Sequence, residues 1–314
     1  MSETQISPAQ AGRIPGWTRQ DSIRASRWLI VLLLAACLGS YFWQPVGLAW
    51  LADILLRGWL HFLSGSMAHE AAHGHLGNSK RANLWWGRIA LLPAGVAYVA
   101  FQKTHLYHHS YTNDPEKDPD YYLHQRPAWL TPIRAFAMPY HWIAWLRQRG
   151  KLTRSILGEW ALTYLAYFLI YTLLALVCGP VRVLAGLVGS AALHALVLWY
   201  FFAIKTHEGG SMGSPEERSH NYYGSLAYWL SCGLSLHRVH HLHPNLSWLE
   251  MAAHIPHAGF WQQLAFRRQI APTMWEEIGA RDEGKRKTKN EEILPFLPPH
   301  PSPLAPHPFL FPDN

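Results

Sequence analysis

HLYHH, from His105 to His109, and HRVHH, from His237 to His241, write one spacing twice in a single chain. On a helix, positions i, i+3 and i+4 share a face. Each stretch therefore aims three imidazoles at one region. A related stretch, HEAAH, runs from His69 to His73 and sets two imidazoles one turn apart. Neutral imidazole is a good ligand for iron, zinc and copper. The chain has 20 histidines in 314 residues, and at that frequency two chance HxxHH matches are improbable. A single histidine would be read as an ordinary surface or core residue. Eight at these spacings exceed what one four-coordinate zinc can use. The pattern predicts a site for two metal ions, assembled from distant segments.

The sequence around these clusters is strongly apolar. Ser155–Pro180 and Val181–Ile204 each have about the 20 residues that cross a bilayer as a helix. A shorter run starts at Trp28, and a fourth, 46–66, is less pure because it holds Asp53 and Arg57. Those two sit four apart and could pair on one helical face. The simpler expectation for Arg57 is a side chain that snorkels to the membrane edge. Spans are expected near 28–44, 46–66, 156–178 and 181–204, as two hairpins. The polar segment 1–27 is too long for a signal-peptide n-region, so the first helix is expected to be retained. Three cysteines, two of them in apolar runs, give no disulfide framework.

Net charge is +7, which alone could suggest nucleic acid. Its distribution argues against that partner. Lys and Arg number 4 in 1–27, 11 in 67–154 and 10 in 205–314, or 25 of 27. This is the positive-inside pattern, with both termini and the segments 67–154 and 205–272 on the cytoplasmic side. The basic surplus would meet anionic lipid there. All three histidine clusters then fall on one side of the membrane. Leu84–Phe101 is a test of this topology, because a crossing there would separate HEAAH from HLYHH. It holds Pro93 and Gly95, and it reads as interfacial or re-entrant, as does the Trp- and Pro-rich 127–145 region. The expected fold is all-α and integral to the membrane: four transmembrane helices under a cytoplasmic histidine-rich helical cap.

HEAAHGH, HLYHHSYTNDPEKDPD and HRVHHLHP together resemble the three histidine boxes of the membrane fatty acid desaturase/hydroxylase superfamily, which includes carotenoid hydroxylases and ketolases. The resemblance covers residues 28–257. By position, His69 and His73 match the first box, His105, His108 and His109 the second, and His237, His240 and His241 the third. His207, in KTHEGG, fits an additional family histidine before the third box. The asparagine that some members carry four residues earlier is Ala203 here. Glu208 is a further candidate ligand or support. The resemblance implies a non-haem di-iron centre, dioxygen as co-substrate, and removal of hydrogen from an unactivated C–H bond of a fatty acyl chain. It also implies an external electron donor, a ferredoxin or a cytochrome b5-like protein with its reductase, since no such motif is fused to the chain. All-histidine ligation differs from the carboxylate-rich di-iron bundles. Asp114, Asp118 and Asp120 could instead hold the ring N–H groups of ligands, or simply form a solvated acidic loop.

The leading expectation is an acyl-lipid type desaturase, because the three-residue gap of HEAAH occurs in lipid-linked acyl desaturases. A third box that opens with His237 rather than glutamine argues against the front-end type. Carotenoid oxygenases share that first-box gap, so a hydroxylase or ketolase on the same scaffold is the alternative. HEAAH also matches HExxH, a zinc metalloprotease pattern with Glu70 as general base. That reading needs a third ligand, such as Asp114, and leaves both HxxHH stretches unexplained. A metal-transport role would place ionisable ligands inside the membrane, yet only Asp53 and His194 lie well within the expected spans. His194 is expected to be a packed helix residue. Residues 273–314, a charged run followed by a proline-rich one, are expected to form an extended tail, with His300 and His307 as bystanders.

Overall fold

The computed structural model describes residues 18–43, 46–254 and 267–268. The expected tail at 273–314 and most of the N-terminal segment lie outside these residues. The described chain is helical apart from one antiparallel two-residue pair, β1 (Tyr222–Tyr223) with β2 (Arg267–Arg268), in the register Tyr222↔Arg268.

Helix α1 spans Arg19–Phe42 and begins well before the expected Trp28. A reciprocal cap explains the early start. The Asp21 N–H donates to Thr18 Oγ1 at 3.2 Å, and the Thr18 N–H donates to the Asp21 carboxylate at 2.9 Å, which satisfies two backbone donors at the helix end. Helix α2 spans Leu48–Ala72 and runs past the expected limit of 66, so that HEAAH forms its last turn. Its second half is buried on nearly every side, from Gly58 to Ala72. It packs against α1, against α3 (Lys80–Leu91) and against α7 (Pro180–Ala192). A helix buried all round is the axis of a core, and α2 carries the first histidine box at the end of that axis.

The run 84–101 is broken in two. Helix α3 ends at Leu91, and α4 (Tyr98–Tyr111) starts after an elbow at Pro93–Gly95. Gly95 has φ +63°, and a Cβ there would lie 2.9 Å from the Tyr167 ring, so the elbow needs glycine for both reasons. Helix α5 follows at Thr131–Gln148 and α6 at Arg154–Cys178. Gly179 (φ +92°) stops α6, and Pro180 opens α7, the usual order of glycine at a helix end and proline at the next start. Helix α7 continues as π-helical turns over Leu193–Leu198 and Tyr200–Ile204. Two short helices, α8 (Ser225–Ser231) and α9 (His237–Leu242), follow.

Among the described residues, two helices are long and apolar enough to cross a membrane: Arg19–Ser40 within α1, and α6. Helix α6 buries only Ile156 and Leu174. Leu162, Leu165, Phe168, Leu169, Leu173 and Leu176 are exposed along it. An apolar surface of that extent is unusual for a water-facing helix.

The expectation that Arg57 snorkels is corrected. Asp53 and Arg57 are each 1% exposed and form an ion pair. The guanidinium also lies 4.3 Å from the centroid of the Tyr41 ring. The reason is α7: a Cβ at Gly186 would strike the Arg57 guanidinium. The absent side chain lets α7 close over the pair instead of leaving Arg57 a path outward.

Candidate metal centre

Three helix ends deliver the histidines. His69 sits in the last turn of α2, and His73 is the residue that caps it. Helix α4 carries His105, His108 and His109, and α9 carries His237, His240 and His241. His207 closes the short helical turn that follows α7. Distant segments thus bring all nine together.

They sort into two groups whose ligand nitrogens lie within 4.8 Å of one another: His69, His73, His105, His109 and His240, and His108, His207, His237 and His241. In the first, Nε2 of His105 lies 2.8 Å from that of His73 and 3.1 Å from that of His109. The His109 and His240 Nε2 atoms are 2.9 Å apart. In the second, the His207 Nε2 is 2.8 Å from His237 and 3.2 Å from His108. The repeated motif has a reciprocal division. Helix α4 gives its i and i+4 histidines to the first group and its i+3 histidine to the second. Helix α9 gives i and i+4 to the second and i+3 to the first. Each HxxHH therefore bridges the two groups, which is why the pattern occurs twice.

The electrostatics favour ligation. Burial, followed by repulsion from neighbouring imidazoles, holds His69, His73, His105, His109, His207, His240 and His241 well below the ordinary histidine range. The same causes bring His237 down to about 3. These rings are neutral at physiological pH, the form that binds metals. Both ring nitrogens of His69 are buried without a partner. A buried imidazole left unsatisfied is costly, and a metal ion between the rings would remove that cost. The residues present therefore fit two metal ions held by nitrogen donors.

His108 differs. Burial would lower it, but the Asp118 charge and hydrogen bond, with Asp120 adding, push it up to about 8. Its Nδ1 lies 3.0 Å from both Asp118 oxygens, and Asp118 also accepts the N–H groups of Asn113 and Asp120 at 2.9 and 2.8 Å. This turns the His108 Nε2 toward its group. His207 is set the same way, its Nδ1–H donating to the Arg218 carbonyl at 3.0 Å. Of the three aspartates in this loop, Asp118 is thus the one hydrogen-bonded to a clustered histidine. Asp120 accepts the Trp142 indole N–H at 3.0 Å, and Asp114 caps its own loop through Glu116 and Lys117. Glu208 turns away to pair with Lys205 at 2.5 Å.

Two supports went unread in the sequence. Asn221 Oδ1 accepts the N–H groups of Arg238 and Val239 at 2.9 and 3.3 Å and so caps α9. Glu70 accepts the Trp248 backbone N–H at 2.9 Å and lies 3.1 Å from His75 Nδ1. Asn221 offered no local cap signal, because a readable cap stands next to the helix start and the residue before α9 is Leu236. Trp248 offers no signal either, because its backbone N–H is the group used. Glu70 is 1% exposed, and its committed bonds leave it poorly placed as a general base for peptide hydrolysis.

The comparisons with known proteins agree with this geometry. Residues 48–258 match the model of the family described as fatty acid desaturase. An acyl-lipid (7-3)-desaturase of Rebecca salina is 27% identical over 308 residues, covering 82% of this chain and 64% of the relative. An omega-3 fatty acid desaturase of Caenorhabditis elegans is 26% identical over 137 residues, covering 41% of this chain and 33% of the relative. The chain therefore spans under two thirds of the length of either. The family match takes in every clustered histidine, and on that ground the chain belongs to the fatty acid desaturase family.

Proposed function

We propose that this chain is an oxygen-dependent membrane desaturase of fatty acyl chains, of the acyl-lipid type. Family membership implies an oxidoreductase with a lipid acyl substrate. The single observation that carries the finer reading is the pair of all-histidine groups, five and four strong. Their donor set suits two iron ions. His69, His73, His105, His109 and His240 would hold one, and His108, His207, His237 and His241 the other. When bound, the irons supply the activation of dioxygen and the oxidising power to remove hydrogen from an unactivated C–H bond. The chain itself holds the rings other than His108 neutral by burial, orients His108 through Asp118, and keeps water from the reacting carbon.

In this reading the protein crosses the membrane four times, through α1, α2, α6 and α7 with its π-helical extension. The cap and both termini are cytoplasmic, where an electron donor of the ferredoxin or cytochrome b5 class would reach them. The positive-inside charge distribution supports that orientation. A hydroxylase or ketolase would use the same site, because it shares the first hydrogen removal.

Metal analysis of the purified protein tests the reading. About two irons per chain are expected, lost in the His108→Ala, His240→Ala double variant, together with new double bonds in the lipids of expressing cells. One zinc that survives the double variant but is lost in His69→Ala would overturn it and favour the metalloprotease.

A further inference from the structure

A partly open cavity of about 130 Å³ lies beside the centre, between α2, α4, α5 and α7. Phe101 lines it and stacks on His105, with ring centroids 5.4 Å apart. The cavity therefore abuts the first histidine group. Its volume suits one ring or a short end of a chain, the scale of cavities that hold a benzene-sized molecule. Most of its wall is apolar, yet His61 and His194 also line it. His61 is 2% exposed, and its Nε2 has no hydrogen-bond partner.

His61, Gly65 and His69 follow at i, i+4 and i+8, one face of α2 and about 12 Å of helix. Gly65 carries no side chain on that face, and the His194 ring packs there, 3.7 Å from where a Cβ would stand. The face thus runs from a clustered histidine, past a glycine covered by the His194 ring, to the His61 Nε2, which has no hydrogen-bond partner. A plain hydrocarbon end would leave that nitrogen unsatisfied.

We propose that this cavity receives the end of a lipid chain that carries an oxygen, as a hydroxyl or keto group, and that His61, with His194 beside it, reads that oxygen by a hydrogen bond. The proposal rests on the desaturase reading and deepens it by naming the substrate class. It makes His61 a specificity residue remote from the reacting carbon, and the distance along α2 sets which carbon meets the centre.

Competition binding to the purified full-length protein in detergent tests it, with tritiated octadecanoic acid as the label. Unlabelled octadecanoic acid and its ω-hydroxy form are the competitors. The ω-hydroxy form is expected to compete about tenfold better on the wild type. His61→Leu should abolish that preference while leaving the plain acid unaffected, and His61→Gln should keep part of it. Equal competition on the wild type would overturn the proposal and leave the desaturase reading standing. So would a preference that survives both His61→Leu and His194→Leu, with water alone satisfying His61. No saturable displacement by either acid would overturn the proposal as well, whereas the desaturase reading falls only if the iron content described above is absent.

Discussion

Glu70 of the first histidine box accepts the backbone N–H of Trp248, 178 residues away in sequence, at 2.9 Å. Trp248 is held on two further sides. Its indole N–H donates to Ser26 Oγ of α1 at 3.0 Å, and its carbonyl accepts the Tyr228 hydroxyl of α8. The chain that follows the third box is thereby tied to α2, which carries the first, and to α1 beside it.

This tie predicts a graded response at Glu70. Alanine leaves the Trp248 N–H and a His75 nitrogen buried without an acceptor, a loss of at least about 2 kcal/mol. The thermal midpoint in detergent should fall by about 5 °C. Glutamine keeps an acceptor oxygen, so Glu70→Gln should lose less than about 1 kcal/mol and retain its metal. A general base would behave oppositely, with Glu70→Gln stable but wholly inactive.

Asp118 should act through His108. Removing its carboxylate leaves the His108 ring free to turn, and such supports typically change metal affinity by about 10- to 100-fold. Asp118→Asn should therefore retain much less metal after dialysis than the wild type, while Asp114→Asn, whose carboxylate caps only its own loop, should match the wild type. Equal retention in both variants would remove Asp118 from the centre.

The pH dependence of the metal-free protein has two limbs with opposite signs. The lowered histidines are neutral when folded and titrate near 6.5 when unfolded. Unfolding then takes up protons below about pH 6.5, and each such group removes about 1.4 kcal/mol per pH unit as the pH falls. His108 is raised to about 8, so its contribution is full below 6.5 and is lost as pH climbs through 8. The midpoint should drop steeply on the acid side and gently on the alkaline side. Asp118→Asn should flatten the alkaline limb alone. Thermal melts in detergent across pH 5 to 9 would check both.

Much of the centre was legible because helical spacing is a local property. Two HxxHH clusters and one HxxxH pair on helices must each present their rings on one face, whatever the tertiary structure. His207 was legible only by resemblance, since a single histidine has no spacing to read. Which aspartate supports the site was not legible: Asp114, Asp118 and Asp120 share one loop, and only its fold selects Asp118. The early start of α1 had a signal in Thr18 and Asp21, a capping pair that the apolar run overshadowed. The π-helical turns after α7 had none. Arg57 was misread for a physical reason. Snorkelling is the rule for an arginine with a free path to water, and the path was closed by a residue with no side chain, Gly186, on a helix far along the sequence.

That closure makes the Asp53–Arg57 pair a sensitive point in the helical core. Both side chains are almost fully buried, and α7 covers them through Gly186. Removing one partner leaves a charge that has lost its counter-charge and has no water nearby, which costs about 3 to 5 kcal/mol. Arg57→Met and Asp53→Leu should each lower the thermal midpoint by about 10 °C. The double variant replaces the pair with apolar groups and should recover most of that loss, because a buried pair contributes little net stability against good packing. Its metal content should match the wild type, since neither residue touches the histidine groups. If the double variant proved as unstable as the singles, the cation over the Tyr41 ring, 4.3 Å away, would be the interaction that matters, and Tyr41→Leu should then reproduce the loss by itself.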